Sequence, residues 1–134
     1  MGDLYNPIKV SIGQFYGIEI NDFAVTVAKT ALWIAEAQMM KETEDIIHMR
    51  LDFLPLKSYT NIHEGNALRM DWETVVAKNK LNYIMGNPPF VGAAIQSKEQ
   101  KADIFQIYVD EKGKTYKTAG TIDYVAGWDF KASK

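Results

Sequence analysis

Phe15-Tyr16-Gly17-Ile18-Glu19-Ile20, followed at once by Asn21-Asp22, is the stretch on which the architecture turns. Six residues form a short apolar run, interrupted by Gly17 and closing on an acidic side chain, which predicts a strand. Asn21 or Asp22 then caps a long helix, because either side chain accepts hydrogen bonds from the unpaired amides of a first turn. Ala24, Ala28, Ala31, Leu32, Ala35 and Met39 recur at three- and four-residue spacing and predict its buried stripe, broadened by Trp33 and Ile34. The helix is expected to fray in the charged stretch Lys41 to Asp45. Pro55 ends or interrupts whatever surrounds Leu51, Phe53, Leu54 and Leu56. Asn61 to Glu64 reads as a short strand turning at Gly65, and Asp71 as the cap of a brief helix through Val76. Leu81 to Met85 is the next predicted strand, stopped by Pro88 and Pro89, which cannot donate ladder hydrogen bonds. Gln96 to Lys101 reads as polar and exposed, Ile104 to Val109 as apolar, Glu111 to Lys117 as a lysine-rich loop. Asp123 is expected to cap a final helix running through Tyr124, Val125 and Trp128.

Strand, long helix, strand, short helix, strand is the order of an α/β fold with mostly parallel strands, since crossovers through helices return the chain to the same sheet edge. Functional loops of such sheets gather beyond the carboxyl ends of the strands, and Glu19, Asn66 and Asn87 all fall at or just after a predicted end. Those three segments are therefore expected to converge at one sheet edge.

Composition narrows the chemistry. The 134 residues, 47% of them apolar and 24% charged, suffice for one core. Three Trp, seven Tyr and six Phe supply its bulk. There is no cysteine, hence no disulfide and no thiolate chemistry. No run approaches the roughly 18–20 apolar residues of a membrane span, and no secretory pattern follows Met1, so a cytoplasmic location is expected. His48 and His63 lack partners at ligand spacing, and no metal site is expected. No Ser-His-Asp pattern, Walker-type loop or dinucleotide fingerprint occurs. Fifteen Lys plus Arg against seventeen Asp plus Glu give a net charge of -2. That is not the basic footprint of a compact DNA-binding module, so phosphate contacts would come from a local patch or from protein beyond this chain. Lys98, Lys101, Lys112, Lys114 and Lys117 are interrupted by Glu99, Asp103, Asp110 and Glu111, which reads as a solvated face.

The sharpest chemical feature is Asn87-Pro88-Pro89-Phe90. An exocyclic amine attacking a methyl donor needs its lone pair free, and two acceptors on its hydrogens hold it in a productive geometry. The Asn87 side-chain oxygen and the Pro88 carbonyl are candidates for those acceptors. Pro88 and Pro89 stiffen the backbone presenting them, and Phe90 is suited to stack on an extruded base. The same tetrapeptide is also compatible with a rigid turn whose Phe packs in a core.

Here the chain resembles the DNA methyltransferases that modify adenine N6. Asn87-Pro88-Pro89-Phe90 is similar to their catalytic motif, Phe15 to Ile20 to their second cofactor motif, and Glu64-Gly65-Asn66-Ala67-Leu68-Arg69 to their third. Asp123-Tyr124-Val125-Ala126-Gly127-Trp128, followed by Lys131-Ala132, resembles the helix after the catalytic loop in the bifunctional restriction–modification branch, of the type IIG and IIL kind. The resemblance implies a partial Rossmann-like methyltransferase sheet with flanking helices, using S-adenosyl-L-methionine and acting on double-stranded DNA. It implies that Glu19 bonds the cofactor's ribose hydroxyls, that Ile20 packs on its adenine, and that Asn66 faces the adenine ring with the backbone of Ala67 nearby. Many relatives carry Asp where Asn66 stands; the amide oxygen can still accept, while its nitrogen adds a donor. Glu19 can alternatively cap the following helix, and Gly65-Asn66 can be an ordinary turn pair.

The family's first motif, a glycine-rich loop gripping the methionine end of the cofactor, has no counterpart in the fourteen residues before Phe15, which hold only Gly2 and Gly13. The expectation is an incomplete catalytic domain: lead-in 1–14, α/β core 15–90 and a truncated region 91–134. Such a fragment would lack the recognition domain, bind cofactor weakly or not at all, be inactive alone, and tend to self-associate through exposed apolar edges. Two other readings are a methyltransferase for another planar amine, such as a protein glutamine, and a structural half-domain needing a complementary segment.

Overall fold

The computed structural model describes residues 9–48, 50–51 and 61–134, and the chain divides into two compact units, Met1–Gly65 and Asn66–Lys134. In the first, β1 (Tyr16–Glu19) leads into α1 (Asp22–Ile47), and β2 (Asn61–Glu64) returns parallel to β1. A helical crossover is what a parallel pair requires. Tyr16 pairs with Asn61, Gly17 with Ile62, Ile18 with His63 and Glu19 with Glu64. A Cβ at Gly17 would lie 2.8 Å from Ile62 Cδ1, so the interruption seen in the sequence is the place where β2 approaches closely. Gly65 N–H donates to Glu19 C=O at 2.8 Å just past the strand ends. The predicted strand-helix-strand order and parallel pairing are observed.

Asn21 is the cap of α1: its Oδ1 accepts from Ala24 N at 3.1 Å. The helix does not fray at Lys41 to Asp45. It runs to Ile47, because lysine and glutamate favour helix, and it stops where His48 turns left-handed at φ 53°. The buried stripe is also rotated from the expected one. Val25 is buried and Glu36 and Met40 are half-buried, as are Ala24, Ala28, Leu32 and Trp33 of the expected stripe, whereas Ala31, Ile34, Ala35 and Met39 are exposed. Glu36 belongs to the stripe for a polar reason: its Oε1 accepts the Ile12 N–H, 3.1 Å away, at the start of the 3-10 turn Ile12–Gln14. The segment around Pro55, with Phe53, Leu54 and Leu56, lies outside the described residues.

The second unit is built on α2 (Lys98–Ile107) and α3 (Ala126–Ala132), and its core joins Ile104 and Ile107 of α2 with Leu68, Ala119 and Tyr124, with Trp128 and Phe130 of α3 packed against them. Ser97 and Gln100 form a reciprocal cap at the start of α2, so Gln96 to Lys101 is a helix entrance rather than a plain polar stretch. Gly127 lets α3 pack closely: a Cβ there would sit 2.9 Å from Ile104 Cδ1, and Ile104 is only 1% exposed and has no room to yield. Tyr108 stacks on Phe130 and Tyr124 meets Trp128 edge-on. Asp71 does cap, accepting from Glu73 N at 3.0 Å, but the element it starts is the 3-10 turn Trp72–Thr74 instead of a helix to Val76.

Two further expectations are corrected. Leu81 to Met85 is not a strand: among the described residues, backbone from Asn82 to Phe90 makes no hydrogen bond, and Tyr83 and Met85 are each 85% exposed. An apolar extended run becomes a strand only beside a partner, and the described sheet consists of β1 and β2. Asp123 does not cap α3, whose first residue is Ala126; its side chain reaches back instead to the Ala93 N–H at 2.9 Å.

Candidate active site

Glu19 and Ile20 stand at the carboxyl end of β1. Glu19 is half-buried, with Oε1 accepting the Asn21 N–H at 3.0 Å, so its carboxylate supports the entry to α1 while Oε2 keeps its acceptor capacity. Ile20 is 68% exposed, an unpacked apolar side chain beside that carboxylate.

Asn66 and Ala67 follow β2 in sequence and belong to the second unit. The Asn66 amide is held at both ends: Oδ1 accepts from Leu68 N at 2.9 Å, and Nδ2 donates to Asp103 Oδ2 at 3.2 Å. The turn around it closes through Arg69 N and Met70 N, both donating to Asn66 C=O. Ala67 C=O accepts from Trp72 Nε1 at 2.7 Å, whereas Ala67 N–H has no partner among the described residues. Lys131 secures the next turn of chain, its Nζ donating to the carbonyls of Leu68 and Met70 and lying over the Trp72 ring. Burial holds that ammonium below its usual pKa, against the opposing charge of Asp71.

Asn87-Pro88-Pro89-Phe90 is an exposed loop, Phe90 78% accessible, so the alternative of a ring packed in a core is not realised. Rigidity comes from its carboxyl flank. Val91 C=O accepts from Tyr124 N at 2.9 Å, Asp123 Oδ1 takes the Ala93 N–H, and Gln96 Nε2 bonds Ile122 C=O at 2.8 Å. The segment 122–124 therefore anchors the loop's carboxyl flank through one backbone bond and two that use side chains, and Tyr124 turns its hydroxyl the other way, donating to Asp103 Oδ2 at 2.8 Å.

Asp103 is the residue that sequence reasoning misplaced. Assigned to a solvated face, it is 3% exposed and gathers Asn66, Tyr124 and Arg69, the last with Nε 2.5 Å from Oδ1. A signal was present: Asp103 shares the inward side of α2 with Ile104 and Ile107, which helical spacing would have placed together. Burial alone would push this carboxyl up. Hydrogen bonds from Arg69, Tyr124 and Asn66, with the Arg69 charge, together outweigh it and hold the carboxyl below the usual range. The Tyr124 hydroxyl is pushed well up, by burial first and then by Asp103.

A stability consequence follows with a definite sign. Because the folded carboxyl is depressed, Asp103 stabilises the fold fully above its unfolded pKa of about 4, and that contribution disappears as acid takes the pH down through the lower folded value. Melting temperatures of the wild type and Asp103→Asn should differ by a constant amount from about pH 5 to 7 and converge only below about pH 4. Convergence already at about pH 6 would contradict the depressed pKa.

No group of three or more His, Asp or Glu side chains is poised for a metal among the described residues, and none of their helices is long and apolar enough to cross a membrane.

Comparison with known proteins places this arrangement. The family described as MmeI, DNA-methyltransferase domain, matches residues 3–134. DNA methyltransferase A of Bacillus subtilis (strain 168) is 40% identical over 134 residues, covering 98% of this chain and 15% of that protein. The solved structure of the type IIL restriction-modification enzyme MmeI in complex with DNA superimposes with a TM-score of 0.83 at 38% identity, covering 94% of this chain and 16% of the other. This chain thus spans about one sixth of the length of those relatives. With the match running through nearly all of its length, the chain belongs to the MmeI family of DNA-methyltransferase domains.

Proposed function

We propose that this chain forms part of the catalytic domain of a site-specific adenine-N6 DNA methyltransferase, with Asn87, Pro88, Pro89 and Phe90 handling the target base and Glu19, Ile20, Asn66 and Ala67 addressing the adenosine of S-adenosyl-L-methionine. The observation carrying this reading is the Asn87 loop: exposed polar groups unengaged within the described structure, on a backbone stiffened by two prolines and anchored behind by Asp123 and Tyr124. A loop whose polar atoms are left open while its carboxyl flank is fixed and its backbone stiffened by proline is suited to a ligand, because the ordering cost of binding is lowered.

The residues fit the cofactor group by group. Glu19 Oε2 suits a ribose hydroxyl, exposed Ile20 suits the face of an adenine, and the open Ala67 N–H suits a ring nitrogen. Asn66 Oδ1 retains a second lone pair after bonding Leu68 N. When bound, S-adenosyl-L-methionine supplies an electrophilic methyl. The chain's own part would be to present the amine: Asn87 Oδ1 and the Pro88 carbonyl would accept its two hydrogens and leave the nitrogen lone pair free for the methyl, whose bond to sulfur breaks as S-adenosylhomocysteine leaves, and Phe90 would stack on the flipped base. The excess proton would pass from the amine to solvent. Double-stranded DNA is engaged by the full-length enzyme, whose other segments also grip the methionine end.

The test is a chimera in which residues 3–134 replace the matching segment of the Bacillus relative, assayed for transfer of labelled methyl groups to mixed-sequence DNA followed by nucleoside analysis. N6-methyladenine is the expected product, with no incorporation by the 134-residue chain alone. Methylcytosine from the chimera, or Asn87-dependent incorporation by the isolated chain, would defeat the respective half of the proposal.

A further inference from the structure

We infer that Asp103 is the positioning residue for Asn66, turning a side-chain amide that could present either end into a dedicated acceptor, and that this pairing is why an amide stands at position 66. The role in reading the cofactor's base rests on the function proposed above; the pairing itself does not.

An ionised carboxylate can only accept hydrogen bonds, so whatever faces it must donate. Asp103 Oδ2 already receives the Tyr124 hydroxyl, and the Asn66 Nδ2 stands 3.2 Å from the same oxygen. On the other side Leu68 N–H demands an acceptor and finds Asn66 Oδ1 at 2.9 Å. Both neighbours therefore dictate the same amide orientation. Rotating it by half a turn would set oxygen against carboxylate and amine against N–H, two repulsive contacts in place of two bonds. The orientation leaves Oδ1 with a second lone pair, and the next residue in the chain, Ala67, has an N–H without a partner among the described residues: an acceptor and a donor one residue apart. Adenine offers the complement, an amine beside a bare ring nitrogen. A 6-oxo purine offers the reverse, and an amide free to rotate would accommodate both.

The same geometry argues against Asp at 66. A second carboxylate would face Asp103 at the distance now occupied by a hydrogen bond, with Arg69, half exposed, the near cation, Glu99 a further acid and Tyr124 already committed as a donor. Two like charges so placed cannot both ionise without cost, and one carboxyl is forced up in pKa. Asn66→Asp should therefore melt about 5–10 °C below the wild type at pH 8 and recover part of that loss on acidification to pH 5, because a carboxyl raised in the folded state favours folding as the proton returns. Combining it with Asp103→Asn restores donor-to-acceptor pairing with the roles exchanged, and the double variant should melt above Asn66→Asp.

Two measurements decide the matter, one on the 134-residue chain and one on the chimera. Thermal melts of the wild type, both single variants and the double variant give the coupling between positions 66 and 103. Equilibrium dialysis of the chimera carrying residues 3–134, with labelled S-adenosylhomocysteine and its 6-oxo counterpart, gives base selectivity. Wild type should favour the adenosyl compound, and Asp103→Asn, which keeps shape but frees the amide, should lower that preference by roughly tenfold. Additive melting effects, or an Asn66→Asp variant as stable as the wild type at pH 8, would overturn the pairing. Strong coupling with unchanged selectivity in Asp103→Asn would overturn the positioning role. Strong coupling with no binding of either compound by the wild-type chimera would uphold the pairing and instead remove the cofactor reading on which the selectivity argument stands.

Discussion

Asn87→Ala, introduced into the chimera carrying residues 3–134, should lower methyl transfer by roughly a hundred- to a thousandfold, the scale on which removing a single preorganised polar group at a reacting centre acts. The substitution deletes one of two acceptors for the amine hydrogens while the Pro88 carbonyl remains, so the base can still enter but its nitrogen is no longer held with the lone pair free. The loss should appear in kcat. Asn87 lies in an exposed loop with no internal partners among the described residues, so its removal costs no buried contact and should leave the melting temperature within a degree or so. Cofactor affinity should also stay nearly unchanged. Phe90→Ala is the useful contrast: base stacking is worth about 1–3 kcal/mol by such truncation, and its loss should weigh on DNA binding more than on the transfer step. If Asn87→Ala retained half of the wild-type rate, the amine-holding role would have to be given up.

Ile104→Ala should be the most damaging single core truncation in the second unit. Ile104 is the one large side chain among the described residues with under 2% of its surface exposed, and it touches the elements that meet there, with Gly127 and Leu68 against it. Cutting it back removes buried methylenes and leaves a cavity that the close approach of α3 cannot collapse into, for a cost of about 2–5 kcal/mol. Against a total stability of about 5–15 kcal/mol for an ordinary domain, that is enough to unfold a substantial fraction of molecules at 37 °C. Its neighbour in sequence, Asp103, would lose its place with it, so Asn66 and Tyr124 should be released together. Urea unfolding followed by tryptophan fluorescence measures the effect through Trp72 and Trp128. A shift in stability below about 0.5 kcal/mol would show that this cluster is not the core of the unit.

Local pattern made much of the first unit legible. The apolar run Phe15 to Ile20, which contains β1, a cap at Asn21 or Asp22, and the strand Asn61 to Glu64 were readable because strand preference, capping and turn formation are settled within a few residues of chain. The parallel pairing followed from the helix between them. The loop Asn87 to Phe90 was equally readable, since two prolines forbid a ladder wherever they stand. The stripe on α1 was harder. Alanines repeat on more than one face of that helix, and Glu36 turns inward only because Ile12, 24 residues away, needs an acceptor.

Tertiary packing decided what pattern could not. Leu81 to Met85 has the composition of a strand, but a strand is a relation between two segments, and no pairing partner for it lies among the described residues. Asp123 has the look of a helix cap and instead serves Ala93, 30 residues earlier. Asp103 sits in a run of charged residues that reads as solvated, yet it is buried because Asn66, 37 residues away, and Tyr124, 21 residues on, bring it donors. Helical spacing with Ile104 and Ile107 marks the inward side of α2, but burial of a charge there depends on the donors that compensate it, and Asn66, Arg69 and Tyr124 come from other parts of the chain. The sequence by itself determined the α/β order, a first helix capped by Asn21 or Asp22, and the proline loop, whose causes are local in the chain; that Asn21 is the cap, which acid would be enclosed, and which amide it would orient, was decided by contacts that exist only once the chain has folded.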